Sequence, residues 1–319
     1  MKKNASLRAE TQLTPPSSKE RPLAALNGAL PTAPPWHVKA MGVPRVESRV
    51  EVEGASIEVL RWGDSSRPGV LLIHGMNAHA QWWGPVAPLL SDNYHIVSFS
   101  YSGMGQSDWR ASYTMDQLAR EAISVAEATG ILTIDHKPFV IAHSFGGRIA
   151  SLIARDHGHR LAGMVIVDSL LSAYSEPLDA NAARARHYPT DTEALARFRF
   201  LPPQTSKYLS VIDEIARASI CREGSGWRWC FDPNFRNRLT QSDPWHSIAL
   251  ATCPLAFLRG ELSDHITAED FAAHCTQAPV GSLFMEIPAA AHHIMADQPL
   301  ALVTALRAII GHWLSGKAV

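Results

Sequence analysis

Ser144 is the residue in this sequence best placed to act as a nucleophile. The run Phe139-Val140-Ile141-Ala142 is a short apolar strand that leads directly into His143-Ser144-Phe145-Gly146-Gly147. A serine lifted above the end of a sheet on a strained strand-to-helix turn needs small residues on either side, and Ala142 and Gly146 stand two before and two after it. The following helix directs the N–H of Phe145 at the same space. Acyl transfer needs a second main-chain donor for the tetrahedral oxyanion. His74-Gly75-Met76-Asn77, just past the apolar run Val70 to Ile73, offers the N–H of Met76.

A serine hydroxyl needs a base, and the base needs an orienting acid. Asp264 falls in the loop Gly260-Glu261-Leu262-Ser263-Asp264 beyond an apolar run, and His292 falls in Ala291-His292-His293-Ile294-Met295-Ala296-Asp297-Gln298-Pro299. The chain order is then serine, acid, histidine, each just after a strand of one sheet. Asp168, in Val165-Ile166-Val167-Asp168-Ser169, also follows a strand and is the second candidate for the acid. His293 adjoins His292, and the spacing to Asp297-Gln298-Pro299 favours His292.

The elements needed to hold these residues are legible along the chain. Val46 to Val52 and Ile57 to Trp62 alternate around Gly54 and read as a hairpin. Val70 to Ile73, Ile96 to Phe99, Phe139 to Ala142, Met164 to Val167, Leu255 to Leu258 and Leu283 to Ile287 read as further strands, most of them wholly apolar as buried strands should be. Thr114 to Thr129, Ile149 to Ala154 and Leu300 to Trp313 carry helical spacing. Such alternation predicts an α/β fold with a mostly parallel central sheet and helices on both faces. Residues 1–40, rich in Pro, Ser and charge, are expected to be a flexible leader. Residues 41–172 and 246–319 are expected to form the core. Residues 173–245 carry no buried-strand run and are expected to form a helical insertion.

The pieces HGMN, SYSGMGQSDWR, AHSFGG, LRGELSD and AHHIMADQP resemble those of the α/β-hydrolase superfamily, from about residue 45 to the end. The departures are Ala142 for the usual first elbow glycine and Ala291 where a glycine often precedes the histidine. The resemblance implies a carboxylesterase-like serine hydrolase with a cap at 173–245. It implies a Ser144–His292–Asp264 triad, an oxyanion hole at Met76 and Phe145, and neither cofactor nor metal. The Gly260 to Asp264 segment fits the family's acid loop, and in some relatives the acid comes from the position of Asp168. The expected substrate is a small, largely apolar or aromatic ester. Carbon–carbon bond hydrolysis, lactone hydrolysis and acyl transfer use the same triad and stay open, as does ligand binding without catalysis on the same fold.

Asn77, Trp82, Trp83 and His143 are candidates for the substrate pocket, with Trp109, Trp227, Trp229 and Phe231 as further aromatic lining. Arg184, Arg186, Arg197 and Arg199 would suit a substrate that carries a free carboxylate, although arginines on an exposed cap helix are ordinarily solvated. The chain has 319 residues, is 46% apolar and 18% charged, and has net charge −1, which implies no nucleic-acid partner and no anionic membrane surface. Its start lacks the long apolar core of a signal peptide, and no stretch approaches a membrane span, so a cytoplasmic protein is expected. Cys221 and Cys230 flank a Gly-rich turn and could bridge, but four cysteines in this length are expected to be free thiols.

Overall fold

The computed structural model describes residues 21–171, 187–240 and 243–316. Eight strands form one sheet: β1 (Val46–Val52), β2 (Ala55–Trp62), β3 (Gly69–Ile73), β4 (His95–Phe99), β5 (Phe139–His143), β6 (Gly163–Val167), β7 (Leu255–Gly260) and β8 (Leu283–Ile287). Their spatial order is β1-β2-β4-β3-β5-β6-β7-β8. Only β2 runs against its neighbours, and the pairs from β4 through β8 are all parallel.

Side chains of successive strand residues enter two different cores, as the pleat requires. Leu71, Ile73, Val97, Phe99, Val140 and Ala142 pack on one face beneath the helices Met115–Ala128 and Phe145–His157. Val70, Leu72, Ile96, Phe139 and Ile141 pack on the other face against Trp83, Leu90 and the last helix, Pro299–Leu314. Strands β3 to β6 are buried on both faces, which is why they read as apolar runs rather than as alternation. The helix Met115–Ala128 begins where Thr114 accepts a hydrogen bond from the N–H of Gln117. No helix among the described residues is long and apolar enough to cross a membrane.

The insertion departs from an all-helical cap. It has the helix Leu209–Ala218, but this is followed by an antiparallel hairpin, Ile220–Glu223 with Gly226–Trp229. Gly224, with φ +57°, makes the turn. Without it the alternating Trp227 and Trp229 could not fold back to pack in the third apolar cluster with Phe198, Phe200 and Ile215. Cys221 lies in the first strand of the hairpin and Cys230 directly follows the second. Both are free thiols in hydrogen-bond contact with each other, which pulls the Cys221 thiol down to about 7.

The leader is also more ordered than its composition suggests. Residues 1–20 lie outside the described residues, but Pro35–Met41 forms a helix that docks on the cap. His37 is fully buried there, with Nδ1 2.9 Å from the Ser210 hydroxyl and Nε2 2.6 Å from the Glu214 carboxylate. Arg217 adds a hydrogen bond to the carbonyl of Gly28. Buried polar side chains cannot be read from composition, because their partners lie ~170 residues away in sequence. Replacing His37 with Ala strands Ser210 and Glu214 and is expected to lower stability by about 1–3 kcal/mol. A urea midpoint within error of wild type would show that this contact holds nothing together.

Candidate active site

Three strand ends and one loop meet at Ser144. His143 at the end of β5 pairs with Val167 at the end of β6, and the N–H of Ser144 donates to the carbonyl of Val167 at 2.9 Å. Ser144 itself has φ +53° and ψ −125°, a conformation that costs a non-glycine residue of order 1–3 kcal/mol. Its surroundings must hold it there. A Cβ on Gly146 would sit 2.6 Å from the carbonyl oxygen of His74, and one on Gly75 would sit 3.1 Å from Cβ of Ser144. The elbow and the loop after β3 therefore touch through glycines: a side chain at Gly146 would collide with backbone, and one at Gly75 would crowd Ser144.

The residue directly after β6, Asp168, is the carboxylate that faces the histidine. It also has positive φ (+46°) and no exposed surface, and its Oδ2 accepts from Nδ1 of His292 at 2.7 Å. His292 Nε2 lies 3.0 Å from the Ser144 hydroxyl, which donates to it. Asp264, expected in this role, is exposed and makes no such contact. Strand register decides between the two acids. The register of β6 beside β5 brings Asp168 level with Ser144, whereas Asp264 lies four residues past the end of β7, where the chain has turned out to solvent. That loop still serves the site through the residue before it. The hydroxyl of Ser263 donates to Oδ2 of Asp168 at 2.6 Å, and the N–H of Gly260 donates to Oδ1 at 2.9 Å. Ser263 carried no signal in the sequence beyond its place in the same LRGELSD segment.

The loop that carries His292 is tied down on both sides. The carboxylate of Asp297 accepts from the N–H of Ala291 at 2.8 Å, and Leu262 N–H donates to the carbonyl of Ala290. Gln204 of the cap accepts from the N–H of His293 at 2.7 Å. Asp297 is thus the physical reason for the spacing from His292 to Asp297-Gln298-Pro299.

The expected oxyanion donors both border Ser144. Phe145 begins the helix Phe145–His157, so its N–H has no intrahelical partner. Met76 follows Gly75 in the touching loop, and neither N–H has a hydrogen-bond partner among the described residues. His74 stiffens that loop. Its Nδ1–H donates to the carbonyl of Gly75 at 2.8 Å, while Nε2 accepts from the N–H of Tyr101 at 3.2 Å. Only a neutral imidazole can do both, and burial pushes its pKa down to about 4.

The pocket candidates separate. Trp83 is fully buried in the core beneath the sheet. Asn77 is exposed at a turn with φ +56°. His143 is buried, and its Nε2 lies 2.9 Å from the carbonyl of His292, so it supports the base from below. Trp82 does face the cap, with its ring 5.0 Å from that of His293 and 5.8 Å from that of Phe200. Of the further aromatics, Trp109 is partly exposed under the Arg228 guanidinium, and Trp229 packs on Tyr188 and Phe198. Arg197 and Arg199 are exposed, and Arg184 and Arg186 lie outside the described residues.

Sequence reasoning missed a cluster of imidazoles. The rings of His143, His265 and His293 stand 4.7, 4.4 and 4.7 Å from the ring of His292. Burial, and then the His143 and His265 rings, hold the pKa of His292 well below the ordinary 6.5. Burial also raises the carboxyl of Asp168, against the hydrogen bonds from Ser263 and Gly260.

A profile of the Alpha/beta hydrolase family matches residues 70–306 of the chain. The chain belongs to the alpha/beta hydrolase family. This alpha/beta hydrolase is 23% identical over 286 residues to the esterase Rv0045c of Mycobacterium tuberculosis, covering 84% of this chain and 90% of that protein. The crystal structure of that esterase superimposes with a TM-score of 0.64 at 21% identity, covering 91% of this chain and 96% of that one. A putative carbamate hydrolase, RutD of Caulobacter segnis, is 31% identical over 121 residues, which is 37% of this chain and 43% of that protein. The thioesterase domain from the curacin biosynthetic pathway superimposes with a TM-score of 0.68 at 20% identity, covering 82% of this chain and 99% of that domain. The alpha/beta hydrolase described here is a hydrolytic, esterase-like enzyme.

The depressed pKa of His292 has a sign that can be checked. A base works only when neutral, and a lowered pKa keeps it neutral to lower pH. The rise of kcat/KM with pH is therefore expected to have its midpoint on the acid side of 6.5, as a single ionisation. A midpoint above 6.5 would mean that His292 is not held neutral by its surroundings.

Proposed function

We propose that the chain hydrolyses a carboxylic ester through an acyl-enzyme on Ser144. The observation that carries this reading is the continuous relay from Asp168 Oδ2 through His292 to the Ser144 hydroxyl, at 2.7 and 3.0 Å. His292 takes the hydroxyl proton as Ser144 attacks the carbonyl carbon. Asp168 fixes the tautomer with the proton on Nδ1 and stabilises the imidazolium that forms. The N–H groups of Met76 and Phe145 hold the oxyanion, and the leaving alkoxide takes its proton from His292. Water then attacks the acyl-enzyme, with His292 again as base, and the acid product leaves.

A serine rather than a carboxylate at the elbow favours acyl transfer over displacement at a saturated carbon. The relatives named for ester, carbamate and thioester hydrolysis act on acyl carbons, which agrees with this choice. The rings of Trp82 and Phe200, packed on His293 beside the base, favour a small and largely apolar or aromatic substrate. The exposure of Arg197 and Arg199 gives a free carboxylate on that substrate no support from these two residues.

Ser144→Ala is expected to fold normally and to lose on the order of 10⁶ in kcat on p-nitrophenyl esters. The wild type is expected to release a burst of p-nitrophenol equal to the enzyme present when deacylation is slow. Activity of the variant within tenfold of wild type would overturn the proposal.

A further inference from the structure

We infer that Cys221 and Cys230 are a redox-modification site, where a hydroperoxide converts the two thiols into a disulfide that pins the cap hairpin. Strand pairing places them together. Ile220 pairs with Trp229 and Cys221 with Arg228, and the N–H of Cys230 donates to the carbonyl of Ser219 at 2.8 Å. The pairing thus continues one residue past the strands, with Cys230 opposite Ser219. Cys221, two residues on from Ser219, shares the face of Cys230 as its diagonal neighbour. The two sulfurs are already in hydrogen-bond contact. Bonding them takes rotation about side-chain bonds rather than rearrangement of the hairpin.

The surroundings give the two thiols different parts. Ile220, Trp227 and Trp229 occupy the other face of the hairpin and pack in the cap's apolar cluster with Phe198 and Phe200. The thiol face looks instead toward the loop after β4. Gln106 Nε2 donates to Cys230 Sγ at 3.6 Å, and the Arg228 guanidinium lies 4.7 Å from the centre of the Trp109 ring. Cys221 is half-buried and Cys230 is buried. The hydrogen bond from Cys230 holds the Cys221 thiol down to about 7 against burial, with Arg228 assisting and Glu223 opposing. The same bond, burial and the charges of Cys221 and Glu58 push the Cys230 thiol up, against Arg228. A reachable thiol with a lowered pKa beside a second cysteine is the arrangement that peroxides oxidise. Burial pushes Cys253 up to about 11, which leaves it a poor nucleophile.

The chemistry balances in two steps. The Cys221 thiolate attacks one peroxide oxygen and the O–O bond breaks. The other oxygen takes a proton from solvent and leaves as an alcohol, or as water when the oxidant is hydrogen peroxide. Cys221 is then a sulfenic acid. The Cys230 sulfur attacks the Cys221 sulfur, the S–O bond breaks, and the departing hydroxide takes the Cys230 proton and leaves as water. The two thiols lose two electrons and the peroxide gains them. The new bond closes the hairpin covalently across Gly224, which restrains its opening.

The test uses the full chain and hydrogen peroxide in small molar excess. Free thiols titrated in denaturant are expected to fall from four to two and to return to four with dithiothreitol. Trypsin digestion without reductant is expected to leave the peptide Ala218 to Arg222 joined to the peptide Trp229 to Arg236. Cys230→Ser is expected to stop at the sulfenic acid on Cys221, which dimedone captures, and Cys230→Ala serves if the serine variant does not fold. Cys221→Ser is expected to keep its remaining thiols at the same dose. Ser144→Ala is expected to form the bond as wild type does, so the result is independent of hydrolysis. Backbone amides of residues 219–230 are expected to exchange hydrogen more slowly after oxidation, reversibly with dithiothreitol. The inference is overturned if wild type keeps all four thiols, or if the joined peptides carry Cys253 or Cys275. It is equally overturned if Cys221→Ser still forms a disulfide, or if oxidation leaves amide exchange in the hairpin unchanged.

Discussion

A carboxylate with no exposed surface must be surrounded by donors, and the arrangement around Asp168 follows from that requirement. Gly260 donates from the end of β7, Ser263 from the loop beyond it, and His292 from the loop after β8. Gly260 and Ser263 belong to one stretch of chain and His292 to another, so satisfying one charge aligns those two segments with the end of β6. The imidazole is fixed in the tautomer that leaves Nε2 facing Ser144. Removing the charge would loosen the orientation of the base as well as the electrostatics of the imidazolium.

The same centre tolerates backbone strain on both sides. Ser144 and Asp168 are adjacent in space and both have positive φ, a rare conformation for residues with side chains. Parallel pairing of β5 with β6 through His143 and Val167 over-determines them, and close contacts without side chains at Gly75 and Gly146 leave the elbow nowhere else to go. Strain concentrated where a hydroxyl must be presented is a common feature of working sites. The cap is held by different means: His37, Ser210 and Glu214 join it to the N-terminal segment, and Gln204 joins it to the His292 loop.

Much of this was legible in the sequence. The strands buried on both faces announce themselves as apolar runs, and β1 and β8 begin and end where their patterns do. Ser144 and His292 were legible because a strained turn and a post-strand loop leave local marks. The acid was not, because Asp168 and Asp264 both follow strands. Only the lateral register of β5, β6 and β7 decides which one is level with the serine. The cap hairpin was hidden by half-buried strands of four residues each, too short for a period to emerge. Ser263, His265 and the ring of His293 were invisible for the same reason as the docked leader. Their significance lies in contacts between residues far apart in the chain.

The proposed hydrolysis depends on the acid at Asp168. Asp168→Asn and Asp264→Asn should be purified and compared by kcat on one ester at a pH where wild-type activity is at its plateau. The asparagine at 168 offers His292 an amide that stabilises the wrong tautomer, and kcat is predicted to fall on the order of 10⁴. The exposed change at 264 is predicted to leave kcat within about threefold of wild type, as surface substitutions generally do. A large loss at 264 with little loss at 168 would contradict the relay described here.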